Sequence, residues 1–322
     1  MQSRVSSHGT VMSPSQPAGI LYALCCLAIL SAMPLIADAR PEGSSGLAFA
    51  IWLTFWQLVA GLPLFVVELR RGVSAGPAAK RPSVRTLAIA LLTGAMFAVA
   101  TYMYVVAAKK AGPVSMVIAL QAYPLFAILL EAVLLGKRKS TTELGFTALL
   151  LAALVYLTTG GTFRVADISW WSAYTLGIPA LWAIAHVLLR QVLTTTSITP
   201  NQVTVTRLIV SGIVLLALQA LIGEPGALLQ GFTDPTFQKA AILLGVAYYL
   251  ELVLWFNAIR HIDVSVASSI TVPTPAVTML ITVVVLGGHV ETFQILAMVV
   301  ICVALYGLLF AGRHARRAPS PG

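Results

Sequence analysis

The chain has 322 residues, 58% of them hydrophobic and 10% charged, with a formal net charge of +9 and a mean hydropathy of +0.91. Soluble domains carry about 25% charged residues, so this composition excludes a water-covered globular domain. It also assigns the basic excess to membrane topology rather than to nucleic acid.

Residues 1–17 form a polar, Ser- and Pro-containing tail expected to be disordered and cytoplasmic. Ten apolar segments follow, each near the ~20 residues that cross a bilayer: 18–37, 46–67, 86–108, 113–136, 144–163, 168–189, 203–222, 240–258, 264–286 and 293–311. A basic tail, 312–322, closes the chain. Cys25, Cys26 and Cys302 all lie inside apolar segments and read as small hydrophobes. With a cytoplasmic N-terminus, fourteen Lys and Arg residues fall on the cytoplasmic side and five on the other, with Arg207 inside a helix. The positive-inside rule therefore predicts both termini cytoplasmic, in a bacterial-type inner (plasma) membrane.

A constant offset of 151 residues runs through the chain. It pairs Ala107 with Ala258, Pro124 with Pro275, Leu135-Gly136 with Leu286-Gly287, Thr141 with Thr292 and Leu154 with Leu305. Gly94 falls on Gly245 in the same way, as expected for paired close helix contacts. The units are 18–163 and 168–311, with five helices each. Because five is odd, the second unit enters the membrane from the opposite side. The predicted fold is an all-α integral membrane protein with ten transmembrane helices in two inverted five-helix repeats, an arrangement used by secondary transporters.

The stretches AAKKAGPVSMVIALQAYPLFAILLEAVLLG and NAIRHIDVSVASSITVPTPAVTMLITVVVLGG share a small-residue run, a mid-helix Pro and a Leu-Gly helix end. Both resemble the EamA-type domain of the drug/metabolite transporter superfamily, in two tandem copies. The resemblance implies ten helices, cytoplasmic termini and a pathway between the halves. It also carries two departures. Lys137 and Gly288 stand where the family often has Glu after Leu-Gly. The early basic residue of each second helix is present as Arg207 but replaced by Trp56 and Gln57 in the first half.

Ionisable groups inside spanning segments are costly unless paired or wetted, so they mark function. Glu131 lies two turns beyond Pro124 on one helix face. Glu251 sits in mid-helix among Tyr248, Tyr249 and Trp255, and Arg207 lies near the start of the seventh helix. The two prolines are expected to kink their helices and wet one side. Gln121, Pro124 and Glu131 then line the pathway from one half. Thr271, Pro275 and Thr282 line it from the other, with Arg207 and Glu251 between. His186 and Gln121 serve equally well as hydrogen-bonding groups between helices. Trp56, Tyr102, Tyr104, Tyr123, Trp182 and Trp255 fit either a cavity wall or interfacial belts.

No Walker loop, metal-ligand spacing or nucleophile motif occurs, so no enzyme, cofactor or nucleic-acid partner is predicted. The expected activity is secondary transport of a small amino-acid-like or drug-like metabolite by alternating access, with export as the leading direction and proton coupling in view. Uptake or exchange by the same fold is the alternative. A non-transporting membrane sensor or assembly factor is the alternative of another class. The expected partners are a small-molecule substrate and the lipid bilayer, with the protein a monomer or homodimer.

Overall fold

A computed structural model describes residues 16–72, 84–135, 140–195, 198–262 and 264–317. The expectations for the tails beyond 16 and 317, and for the basic loop residues Lys80, Arg81, Lys137, Arg138 and Lys139, lie outside the described residues. Among the described residues there are helices and turns but no strand. Ten helices are long and apolar enough to cross a membrane. The protein is an all-α integral membrane protein.

The first five spans are α1 (Gln16–Asp38), α2 (Gly46–Arg70), α3 (Val84–Lys110), the pair α4 (Pro113–Leu120) and α5 (Tyr123–Leu135), and α6 (Thr141–Thr158). The next five are α7 (Trp170–Thr195), α8 (Pro200–Ile222), α10 (Pro235–His261), the pair α11 (Val264–Thr271) and α12 (Thr274–Leu280), and α13 (Thr292–Arg317). Between α8 and α10 lies a short helix, α9 (Ala227–Thr233), within a connection that reads from sequence as plain loop.

Local chemistry fixes the helix ends. Ser140 and Glu143 form a capping box at α6, and Thr199 and Gln202 form another at α8, each satisfying backbone N–H groups that no helical carbonyl reaches. The Asp234 carboxylate accepts from the Thr236 and Phe237 N–H groups to start α10. At the end of α6, Gly160 and Gly161 take positive φ values of 60° and 90° and turn the chain back.

The two prolines do more than kink. The fourth span breaks at Gln121-Ala122 and the ninth at Val272-Pro273. Pro124 and Pro275 each fall at the second residue of the new helix, where a missing N–H removes no bond. Ile281–Val285 then continues α12 as a π-helical turn. The two breaks fall 151 residues apart.

The helices pack by exchange. α1 lies along α10, and α7 along α3. α2 packs on α10 and α8, α8 also on α3, and α6 pairs with α13. Small residues set the crossings. A Cβ on Gly245 would stand 2.8 Å from the Leu53 carbonyl oxygen of α2. A Cβ on Gly94 would stand 2.6 Å from Val210 Cβ of α8, and Ser211 Oγ donates to the Gly94 carbonyl at 2.7 Å. Where lipid replaces water outside, close packing and such interhelical hydrogen bonds hold helices together.

Two apolar cores result. One joins Phe49, Leu53, Tyr104, Phe237 and Leu244, with Phe49 and Phe237 edge to face at 5.1 Å. The other joins Ile118, Leu150, Leu157, Ile301 and Leu305. Outside them, Leu21, Leu87, Leu92, Ile213, Leu216 and Val303 are exposed. That much apolar surface suits hydrocarbon, not water.

Contacts at the helix ends sort into two rims. Glu68 of α2 accepts from Thr199 Oγ1 at 2.9 Å and Asn201 Nδ2 at 3.0 Å, at the start of α8. Gly19 of α1 meets Ile262, just past α10, on the same side. This is the terminal rim, where α1 begins. At the far rim Lys109 Nζ reaches Glu42 at 2.6 Å and the Asp38 carbonyl at 2.8 Å, while Lys110 lies 5.7 Å from the Trp171 ring.

Candidate functional site

Glu251 lies sixteen residues along α10, too deep for its short side chain to reach a rim. Tyr248 precedes it by three positions and Trp255 follows by four, so all three share one helix face. Its backbone carbonyl accepts a hydrogen bond from Cys26 Sγ of α1 at 3.4 Å, which fixes the α1–α10 crossing beside it. Its side chain is half-buried, and among the described residues the carboxylate has no hydrogen bond or ion pair.

Arg207 stands across from it on α8, within electrostatic reach of Glu251 and Tyr248. Because α8 starts at Pro200 rather than near 203, Arg207 is two turns inside the helix. Its guanidinium lies 4.0 Å from the centroid of the Phe97 ring on α3. That cation–π contact returns about 0.5–2 kcal/mol.

Aromatic rings complete the wall. Phe97 stands edge-on to His186 of α7 at 5.5 Å, and His186 meets Tyr123 of α5 at 5.7 Å. Tyr104 of α3 lies 5.4 Å from Tyr248 and 6.3 Å from Trp182. His186 is nevertheless exposed. The site thus gathers a carboxylate, a guanidinium and an imidazole within an aromatic lining. Such a lining accepts flat or apolar groups, while the two ions orient a solute carrying charge of either sign or both.

The residues singled out from sequence divide into groups. Arg207 and Glu251 come together. Tyr104, Tyr123, Trp182 and His186 join them as lining. Gln121 ends α4, half-buried, its N–H bonded to the Ile118 carbonyl, and Pro124 starts α5 beside Tyr123. The side chain of Glu131 lies outside the described residues. On the ninth span the hydroxyl groups turn inward to their own helix: Thr271 donates to Ser268 O at 3.1 Å and Thr282 to Thr278 O at 2.8 Å. Thr282 and Pro275 are buried. The same span is fastened to α1, where Thr278 Oγ1 donates to the Ser31 carbonyl at 2.8 Å. Phe97 had no sequence signal beyond being one aromatic among many. Only the α3–α8 crossing at Gly94, three residues earlier, places it under Arg207.

Residues 169–310 match the model of the EamA-like transporter family. No curated protein matches the chain. Among solved structures, a crystal structure of a protein superposes with a TM-score of 0.61 at 17% identity, covering 95% of this chain and 100% of the other. That likeness concerns the fold alone.

Proposed function

We propose, from the premise that residues 169–310 are an EamA-like transporter domain, that the whole chain is a secondary transporter of a small metabolite. It works by alternating access between two inverted five-helix repeats, 18–163 and 168–311. Reciprocal packing supports this reading: the first helix of each repeat lies on the third of the other, second helices meet, and fifth helices meet. A scaffold that exchanges its halves this way reaches an equivalent shape open to the opposite side.

The observation that carries the reading is the pair Arg207 and Glu251, opposite charges within electrostatic reach of each other at membrane depth and walled by aromatic rings. Among the described residues neither side chain is closed off by a hydrogen bond or a direct ion pair, which leaves both available to a solute or ion that moves through. An amino-acid-like solute matches both ions at once, its carboxylate toward Arg207 and its ammonium toward Glu251. The loop charge bias favours cytoplasmic termini in a plasma membrane, and the family resemblance makes export the default direction, with uptake or exchange as the alternative. A proton on Glu251 supplies the coupling. Transport is the activity that the match to an EamA-like transporter family favours.

Purified protein in proteoliposomes, loaded with radiolabelled amino acids or an amphipathic cation and challenged with a pH gradient, tests this. Saturable flux that falls at least tenfold in Arg207→Met and Glu251→Gln is expected. Equal flux in wild type, variants and empty liposomes refutes it.

A further inference from the structure

Arg40 lies at the far rim in the turn between α1 and α2, away from the central site. It is only 8% exposed, and its Nη1 has no hydrogen-bond partner. Burial draws its pKa below the ordinary arginine value, against the pull of Asp38, Glu42 and the Tyr102 hydroxyl. Those two carboxylates are engaged elsewhere: Lys109 Nζ holds Glu42 at 2.6 Å and stands 3.9 Å from Asp38. The Lys109 contact holds the Glu42 carboxyl below the usual carboxylate range.

The guanidinium lies against the first turn of α2. Its Nη1 sits 2.8 Å from where a Cβ on Gly46, the first residue of that helix, would stand. Ser45 caps only part of the turn: its Oγ accepts from Ala48 N–H at 3.3 Å and its carbonyl from Phe49 N–H at 3.0 Å. Gly46 and Leu47 N–H have no partner among the described residues. A helix N-terminus carries about half a positive charge, and a cation beside it is opposite in sign to what the dipole favours. A buried guanidinium and two free N–H groups converging there offer donors to a single acceptor group. That is the donor set by which helix N-termini and arginine hold carboxylate and phosphate. Gly46 makes room for the guanidinium against the helix start, since any larger residue would push against Nη1.

We propose that Arg40 and the first turn of α2 form a binding site for one oxyanion group, a carboxylate or a phosphate, at the far rim. The group belongs either to a soluble solute entering from the far side or to a lipid headgroup lodged there.

Thermal unfolding of the full chain in nanodiscs tests the site in two arms. In neutral phosphatidylcholine discs, inorganic phosphate or acetate is titrated against chloride at constant ionic strength. In the second arm, discs containing phosphatidylglycerol are compared with neutral ones without added oxyanion. Wild type is expected to gain stability in at least one arm, and which arm responds identifies the source. Arg40→Gln should weaken the half-saturating concentration, or the lipid response, about tenfold, in line with loss of one charge-assisted contact. Gly46→Ala keeps the arginine but crowds the cradle, and should weaken the response as well. No gain in either arm, or an equal gain in Arg40→Gln, overturns the proposal. If Arg40→Gln does not fold, an unchanged response in Gly46→Ala overturns it alone.

Discussion

Gly94 and Gly245 stand 151 residues apart and serve corresponding crossings: Gly94 admits α8 against α3, and Gly245 admits α2 against α10. What each would meet differs. Around Gly94 the nearest atoms are Cγ1 and Cβ of Val210, 2.5 Å and 2.6 Å from a Cβ, and the Val210 Cβ is fixed by its backbone. Around Gly245 they are the Leu53 carbonyl and the Gln57 N–H, 2.8 Å and 2.9 Å from a Cβ, and backbone cannot turn. Gly94→Ala and Gly245→Ala should therefore each destabilise the bundle by about 1–3 kcal/mol, the usual cost of overpacking. Reversible unfolding in mixed micelles measures both. No loss at either position contradicts this account of the crossings.

Much of this fold is legible in the sequence, because hydrocarbon imposes length and apolarity on every span. The ten segments carry over into helices, and the two glycines into close crossings. The breaks at Gln121-Ala122 and Val272-Pro273 do not read so directly. A mid-span proline predicts a kink, but whether the chain bends or starts a new helix depends on the neighbours that take up its free carbonyls. Arg207 and Glu251 stand out in sequence since ions are rare at such depth. Their aromatic wall does not, because Phe97, Tyr104 and Trp182 look like any other apolar residues until α3, α7 and α8 are placed.

Among the described residues the Glu251 carboxylate has no hydrogen bond or direct ion pair, with Arg207 within electrostatic reach, so it is the group on which a moving proton or cation would act. Glu251→Gln should insert and fold as wild type but lose the pH dependence of transport across about pH 5–8, the range in which buried carboxylates titrate. Initial rates in proteoliposomes at fixed solute measure this. A pH profile identical to wild type removes Glu251 from coupling.

Arg207 lies over the Phe97 ring and, among the described residues, in no direct ion pair, so charge and stacking are separable. Arg207→Lys keeps the charge but loses the planar edge that meets a carboxylate at two points. It should raise KM about tenfold or more for a carboxylate-bearing solute, with less effect on one lacking the carboxylate. Phe97→Leu should act on both alike, since it frees the guanidinium to move. The KM ratio between the two solutes is the readout, and an unchanged ratio in Arg207→Lys refutes carboxylate recognition there.

Lys109 fastens the end of α3 to the turn after α1 through Glu42 and the Asp38 carbonyl. The Glu42 carboxyl is depressed by that contact. The contact is thus complete above the ordinary Glu range and is lost as pH falls through the depressed value. Lys109→Met removes both attachments. Hydrogen exchange should rise in residues 38–46 and 107–112 and stay unchanged at the terminal rim near Glu68. An unchanged far rim means that the α1–α3 packing alone holds it.

Accessibility distinguishes the lining from the packing around it. His186 is exposed and Gln121 half-buried, whereas Val272, Met279 and Thr282 are buried. Single cysteines at these five positions, in a background lacking Cys25, Cys26 and Cys302, can be probed with a small charged thiol reagent in sealed vesicles. Positions 186 and 121 should react, and a transported solute should protect 186, which borders the rings of Phe97 and Tyr123. Positions 272 and 279 should stay silent in every state, being packed in the core shared by α12 and α13. Position 282 is informative in another way. Sequence reasoning places it on the wetted side of the ninth helix, but here its hydroxyl is bound to Thr278 within the helix. Silence at 282 that gives way to labelling when the solute gradient is reversed would identify the ninth helix as the element that moves. Labelling at 279 together with silence at 186 would put the pathway on the opposite face of the bundle and refute the central site.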